Sequence, residues 1–193
     1  MTKVGLYFGS FNPVHIGHMA IANYMVEYTE IDQLWFVVSP HNPLKAKTNL
    51  LDDYQRLELV VRAIGDDSRF RASSIEFKLP KPSYTVDTLA YLSEEYPHYE
   101  FYILMGSDNL ETIHKWKNYE FLLANYKILV YPRPESDPAK YLDLSPNIIV
   151  TEAPVMDISS TFIRNAIRAG KDVRHFMPAK AADYLMEMNF YKK

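Results

Sequence analysis

The sequence predicts an α/β domain with a mostly parallel sheet and helices on both faces. Apolar runs of strand length alternate with stretches of helical period from one end of the chain to the other. That is the pattern of strand–helix–strand units with right-handed crossovers. At 193 residues the chain is long enough to bury about 70% of the surface its unfolded form exposes. There is no internal repeat, low-complexity tract or linker. Residues 1–193 therefore read as a single domain, whose C-terminal part, from about 158, is helical.

The elements follow in order. Val4 to Phe8 is a short buried strand, after which Ile21, Tyr24, Met25 and Tyr28 share one helical face. Leu34 to Val38 is a second buried strand, and Ser39 to Asn49 is a polar, proline-containing loop with two lysines. Asp52 or Asp53 caps a helix with Tyr54, Leu57, Val60, Val61 and Ile64 inward. Within Phe70 to Leu79, the alternation Ile75-Glu76-Phe77-Lys78-Leu79 predicts a strand with one wet face. After the break at Lys81-Pro82-Ser83, a helix starts near Thr85 and turns Val86, Leu89 and Ala90 inward.

Phe101 to Met105 is a buried strand ending at Gly106, and Glu111 to Ala124 is helical in pieces. Lys127 to Tyr131 and Ile148 to Val150 are the last strands. Ser159 opens a helix with Phe162, Ile163, Ala166 and Ile167 inward and Gly170 at its end. A final helix runs from about Ala179 to Met188 behind Pro178.

Composition narrows the function. Lys and Arg number 21 against 24 Asp and Glu, a net charge of −3, which argues against a broad nucleic-acid surface. Cysteine is absent, which removes disulfides, thiolate catalysis and thiolate metal sites. No apolar run approaches the roughly 18 residues of a membrane helix, and the start does not read as a secretion signal. The expectation is a cytoplasmic protein without membrane or nucleic-acid partners. Self-association into a homo-oligomer stays open.

Ligands of open α/β sheets bind beyond the carboxyl ends of the strands. The first such loop, Gly9-Ser10-Phe11-Asn12-Pro13-Val14-His15-Ile16-Gly17-His18, leaves a strand and enters a helix. A tight glycine turn and a helix N-terminus offer unpaired N–H groups and a positive dipole end, which favour phosphate. His15 and His18 are three apart and share a face, while Gly17 leaves room for a ligand to approach the backbone. A cap and a packed core histidine is the plain alternative. Metal ligation is disfavoured, because no third ligand is evident. Near the other end, Ser159 is an N-cap, Ser160 and Thr161 supply hydroxyls, and Arg164 lies one turn on from Ser160. A helix N-terminus, hydroxyls and a guanidinium together suit a polyphosphate; an N-capped helix with a solvated arginine is the alternative.

The first string resembles the signature of the nucleotidyltransferase superfamily, which includes class I aminoacyl-tRNA synthetases and small adenylyl- and cytidylyltransferases. The synthetase branch is disfavoured because the chain is short and lacks a Lys-Met-Ser-Lys-Ser loop. Asn12 stands where the small transferases often carry Asp. Ile158-Ser159-Ser160-Thr161-Phe162-Ile163-Arg164 is similar to the second element of the pyridine-nucleotide adenylyltransferases, and lies about 140 residues after the first, as in that family. Tyr84-Thr85-Val86-Asp87-Thr88-Leu89, Gly106-Ser107-Asp108 and Trp116 resemble the bacterial nicotinate-nucleotide adenylyltransferases. Lys117 departs from the tyrosine many members carry.

The resemblance runs from Val4 to Arg164 and implies a Rossmann-like fold. It also implies transfer of AMP from ATP to nicotinate mononucleotide, giving nicotinate adenine dinucleotide and pyrophosphate in NAD biosynthesis, with Mg²⁺ bound mainly through the ATP phosphates and no protein metal ligand. His15, His18 and Arg164 are then catalytic, with His18 near the α-phosphate. Gly9, Ser10, Phe11, Asn12, Lys45, Gly106, Asp108, Ile158, Ser159, Ser160 and Thr161 bind ATP, with Lys47 a competitor of Lys45. Trp116 stacks on the pyridine ring, amides near Thr85 and Lys117 hold its carboxylate, and Arg133 reaches nucleotide phosphate. A sister transferase with another acceptor and a non-catalytic nucleotide sensor are the rivals.

Overall fold

The computed structural model describes residues 1–40 and 50–192; Lys45 and Lys47 lie outside the described residues. Six strands, β1 (Thr2–Gly9), β2 (Gln33–Val38), β3 (Phe70–Ser73), β4 (Tyr99–Gly106), β5 (Ile128–Tyr131) and β6 (Ile148–Val150), form one sheet in the order β3-β2-β1-β4-β5-β6. Every neighbouring pair is parallel. Sequential strands step outward from β1 on one side and from β4 on the other. The crevice beyond β1 and β4 is thus the point where strand order reverses, where such sheets take ligands.

The helices are α1 (Ile16–Tyr28), α2 (Asp53–Ile64), α3 (Thr85–Glu95), α4 (Ser107–Leu110), α5 (Tyr119–Asn125), α6 (Ser160–Arg168) and α7 (Ala179–Glu187). They cover both faces because the strands alternate between two cores. Tyr7, Phe36, Leu104 and Leu129 pack with Ile21, Met25, Leu59, Ile163 and Leu185. Leu6, Trp35, Val37 and Ile103 pack with Leu89, Leu92 and Leu122. Among the described residues, no helix is long and apolar enough to cross a membrane.

Four expectations change. Ile75–Phe77 is a 3₁₀ turn rather than a continuing strand, and Glu76 points inward instead of to water. Helix α2 buries Arg56, Leu59 and Val60, leaving Tyr54 and Val61 exposed; Asp52, not Asp53, caps it by accepting from the Tyr54 amide. In α3, Thr88 is buried and Ala90 exposed, because the Thr88 hydroxyl has a carboxylate partner in the interior. Phe162 and Tyr28 are exposed at 48% and 72%; Phe162 packs edge-on against Phe176 instead of entering the core. Gly170 ends α6 at φ +68°, a conformation natural to glycine.

Candidate active site

Two adjoining cavities open at the carboxyl ends of β1 and β4. A cleft of about 340 Å³ is lined by Gly9, Ser10, Thr85, Gly106, Trp116 and Lys117, among others. A narrow crevice beside it is lined by His15, Gly17, His18, Arg133 and Ile158, among others. Tyr7 and Tyr131 line both. Residues predicted from distant stretches of sequence thus converge on one region.

The histidines owe their geometry to the start of α1. His15 is the N-cap and is only 4% exposed. His18 sits one turn on, and the two rings stack at 3.7 Å. The His15 backbone N–H donates to His18 Nδ1 at 3.2 Å. That bond needs Nδ1 unprotonated, so neutral His18 carries its proton on Nε2, a donor on the opposite edge of the ring. Burial, and then the nearby charge of Arg133, push the His15 pKa down to about 4. His15 is therefore uncharged at neutral pH.

The second predicted segment docks directly on the first. Ser159 Oγ caps α6 by accepting from the Phe162 amide. Ser160 Oγ donates to the Pro13 carbonyl at 2.8 Å. Arg164 donates to the Asn12 carbonyl at 2.7 Å and to the Thr161 hydroxyl at 3.1 Å. These bonds hold the start of α6 against the loop that carries His15 and His18, so both segments border one site.

Several side chains in this region have internal partners instead of facing a ligand. The Phe11 ring is buried edge-on against Tyr7, His18 and Phe36. Asn12 Oδ1 accepts from the Tyr191 hydroxyl at 2.6 Å and from the Leu51 amide at 3.2 Å. The Ser160 proton is committed to Pro13. The space beside Gly17 is also taken: a Cβ there would lie 3.0 Å from His15 Nδ1 and 3.4 Å from Met156 Cβ. Glycine at 17 therefore permits close packing against His15 and Met156, and it also lines the crevice.

In the cleft, the first intrahelical bond of α3 runs from the Asp87 amide to the Tyr84 carbonyl. The amides of Thr85 and Val86 precede it and, at a helix N-terminus, have no intrahelical acceptor. Trp116 lines the same cleft. Lys117 reaches Asp87 at 2.8 Å and lies 4.9 Å from the Tyr84 ring centre, so its ammonium is paired with a carboxylate at the rim. Arg133 lines the crevice with the histidines, and its Cγ would lie 3.0 Å from a Cβ at Gly106, which lines the cleft. Its amide donates to Ser107 Oγ at 2.9 Å, and its guanidinium lies 3.7 Å from Asp108.

Two supporting residues escape sequence reasoning. Arg56, wholly buried, donates to the carbonyls of Ser10, Ser39, Leu51 and Pro40 and pairs with Asp53 at 2.5 Å. It ties the backbone of the loop after β1 to the ends of two neighbouring segments. Glu76 lines the cleft and accepts from Ser83 Oγ at 3.0 Å and Thr88 Oγ1 at 2.9 Å. Burial lifts its pKa, while hydroxyls from Ser39, Thr88 and Ser83 oppose that rise. Its only sequence signal is two hydroxyl residues bracketing the start of α3.

Comparison with known proteins gives a consistent picture. Residues 6–166 match the family described as Cytidylyltransferase-like. A Flavobacterium johnsoniae protein named "Probable nicotinate-nucleotide adenylyltransferase" is 54% identical over 192 residues, covering 99% of this chain and 100% of its own. A Bacteroides thetaiotaomicron protein of the same name is 48% identical over 185 residues, covering 96% of this chain and 91% of its own. The solved Plasmodium falciparum nicotinic acid mononucleotide adenylyltransferase, complexed with NaAD, superposes with a TM-score of 0.82 at 20% identity, covering 100% of this chain and 98% of that one. At that identity the likeness is one of fold.

Proposed function

The chain belongs to the Cytidylyltransferase-like family, among the bacterial nicotinate-nucleotide adenylyltransferases, and from that premise we propose that its two cavities bind nicotinate mononucleotide and ATP for adenylyl transfer. The products are nicotinate adenine dinucleotide and pyrophosphate, a step of NAD biosynthesis. The observation that carries the reading is the docking of Arg164 and Ser160 on the Asn12-Pro13 backbone. It puts a guanidinium and a helix N-terminus beside the histidine pair.

The attacking group is the phosphate of the mononucleotide. Its second pKa is about 6, so it is largely ionised at pH 7 and needs no strong general base. One of its oxygens attacks the α-phosphorus of ATP in line, the bond to the bridging oxygen breaks, and pyrophosphate leaves with that electron pair. The protein positions two polyanions and stabilises charge as it shifts toward the leaving group. His18 Nε2–H donates to the α-phosphate. Arg164, the Ser10 region and the start of α6 hold the β- and γ-phosphates, and Arg133 adds charge from the crevice. Trp116 stacks on the pyridine ring, and the amides of Thr85 and Val86 take its carboxylate. Bare N–H donors favour a carboxylate over an amide, whose NH₂ would face them.

Mg²⁺ fits this donor set as an ion carried on ATP. The residues around the crevice are mostly cationic or neutral, with Asp108 the carboxylate beside Arg133. Such an ion would be held through the ATP phosphate oxygens rather than by protein carboxylates, and would supply charge neutralisation to the leaving group. We place the reaction in the cytoplasm.

Pyrophosphate release from ATP, measured across nicotinate mononucleotide, nicotinamide mononucleotide, phosphopantetheine and an acceptor-free control, tests the reading. Nicotinate mononucleotide should be the fastest acceptor by about tenfold or more. No release with either pyridine mononucleotide would overturn the reading. Equal rates for the acid and the amide would overturn the role of the α3 amides.

A further inference from the structure

Tyr7 Oη donates to Tyr131 Oη at 3.2 Å, although the residues are 124 positions apart. Both rings line the cleft that holds Trp116 and the crevice that holds His18. A ligand reaching from one cavity into the other passes this pair. A phenol has one proton to give and two lone pairs. The Tyr7 proton goes to Tyr131. Among the described residues, nothing accepts the proton of Tyr131.

That hydroxyl is held in place. Tyr131 is 6% exposed, and its ring meets Tyr7 edge-on at 5.9 Å. Tyr7 is wedged in turn against Phe11, His18 and Phe36. Burial is the leading cause that lifts both phenols above their ordinary pKa, so both stay protonated at neutral pH. The charges of Arg133 and Asp108 act on both hydroxyls, which places the pair beside the cationic wall of the crevice. A fixed donor with no acceptor among the described residues, next to a guanidinium and between the two cavities, suits an anionic oxygen.

We propose that Tyr131 is a substrate-contacting residue whose hydroxyl, oriented by Tyr7, donates a hydrogen bond to a phosphate oxygen where the two bound nucleotides meet. The proposal rests on the adenylyl-transfer reading. The Tyr131 bond favours any ligand that spans both cavities, including the dinucleotide product, and it adds to the donation from His18 from a different side chain. Tyr7 acts through Tyr131 and is a positioning residue.

The test uses Tyr131→Phe, Tyr7→Phe and the double variant, each read by melting temperature, by calorimetric titration with nicotinate adenine dinucleotide, and by initial rates with ATP. Tyr131→Phe should weaken dinucleotide binding and lower kcat/KM by about tenfold, as expected on losing a hydrogen bond to a charged group. Tyr7→Phe keeps the Tyr131 donor and should lose less than about threefold. The double variant leaves no hydroxyl of the pair unmatched, so it controls for destabilisation, and it should repeat the loss seen in Tyr131→Phe. Wild-type binding by Tyr131→Phe, or equal losses in the two single variants, would overturn the proposal while a competent wild type upheld the reading beneath it. A wild-type protein that neither binds the dinucleotide nor releases pyrophosphate would overturn both.

Discussion

Arg164 Nη1 donates to the carbonyl oxygen of Asn12 at 2.7 Å, across 152 positions of sequence. The bond joins the two segments, because the guanidinium proposed to hold the triphosphate also secures the loop carrying the histidines. A lysine at 164 offers a point charge on a flexible stem and cannot keep both the Asn12 and the Thr161 contacts. Arg164→Lys is expected to lose about 10²-fold in kcat/KM for ATP, the scale of an impaired preorganised donor. Initial rates at varied ATP measure it, and a near-normal variant would show that charge alone suffices.

His18→Ala removes the Nε2 donor that the His15 amide orients. Turnover should fall about 10²–10³-fold, while mononucleotide affinity, set in the Trp116 cleft, stays close to wild type. Titration with the mononucleotide beside a pyrophosphate-release assay separates the two effects. Normal release would remove His18 from the reaction.

Folding depresses the His15 pKa from the ordinary 6.5 to about 4. Between these values the unfolded chain holds more protons than the folded one, so stability rises with pH. The contribution is fully present above pH 6.5 and drains away as pH falls toward 4, up to about 3 kcal/mol in all. Urea midpoints at pH 7.5 and pH 4.5 should therefore differ more for wild type than for His15→Asn. Equal differences would show that His15 is not responsible for that slope.

Glu76→Ala leaves the Ser83 hydroxyl without its buried acceptor and the Thr88 hydroxyl with the Tyr84 carbonyl in place of a carboxylate. A loss of about 1–3 kcal/mol in stability is expected. Because those hydroxyls flank the α3 amides, KM for the mononucleotide should rise more than KM for ATP. Glu76→Gln, which retains one acceptor oxygen, should recover part of both. Thermal melts and a two-substrate kinetic matrix decide it.

The sheet was legible because its strands are apolar on both faces and separated by clear turn signals. The histidine string and the Ser159–Arg164 segment were legible as one site through their resemblance to two family elements, because local geometry alone also allows a capping histidine and a solvated arginine. What stayed hidden depends on partners far along the chain. Glu76 looks like the wet position of a strand until Ser83 and Thr88 give it a socket. Helix α2 turns Arg56 inward past Tyr54 and Val61 because backbone carbonyls await it, which hydrophobic period cannot reveal. The interior partners of Phe11 and Asn12, both expected among the ATP-binding residues, are likewise remote: the Phe11 ring packs against Phe36, and Asn12 Oδ1 accepts from Tyr191. Tyr7 lies inside one buried strand and Tyr131 ends another, and only the sheet brings their hydroxyls together.

Arg56 binds Ser10, Ser39, Pro40 and Leu51 through main-chain oxygens alone. The junction is therefore indifferent to which side chains those four positions carry, provided the local backbone keeps its path. Substitutions there can accumulate without disturbing it. A single exchange at 56 would unmoor three chain segments together and leave their oxygens stranded away from water.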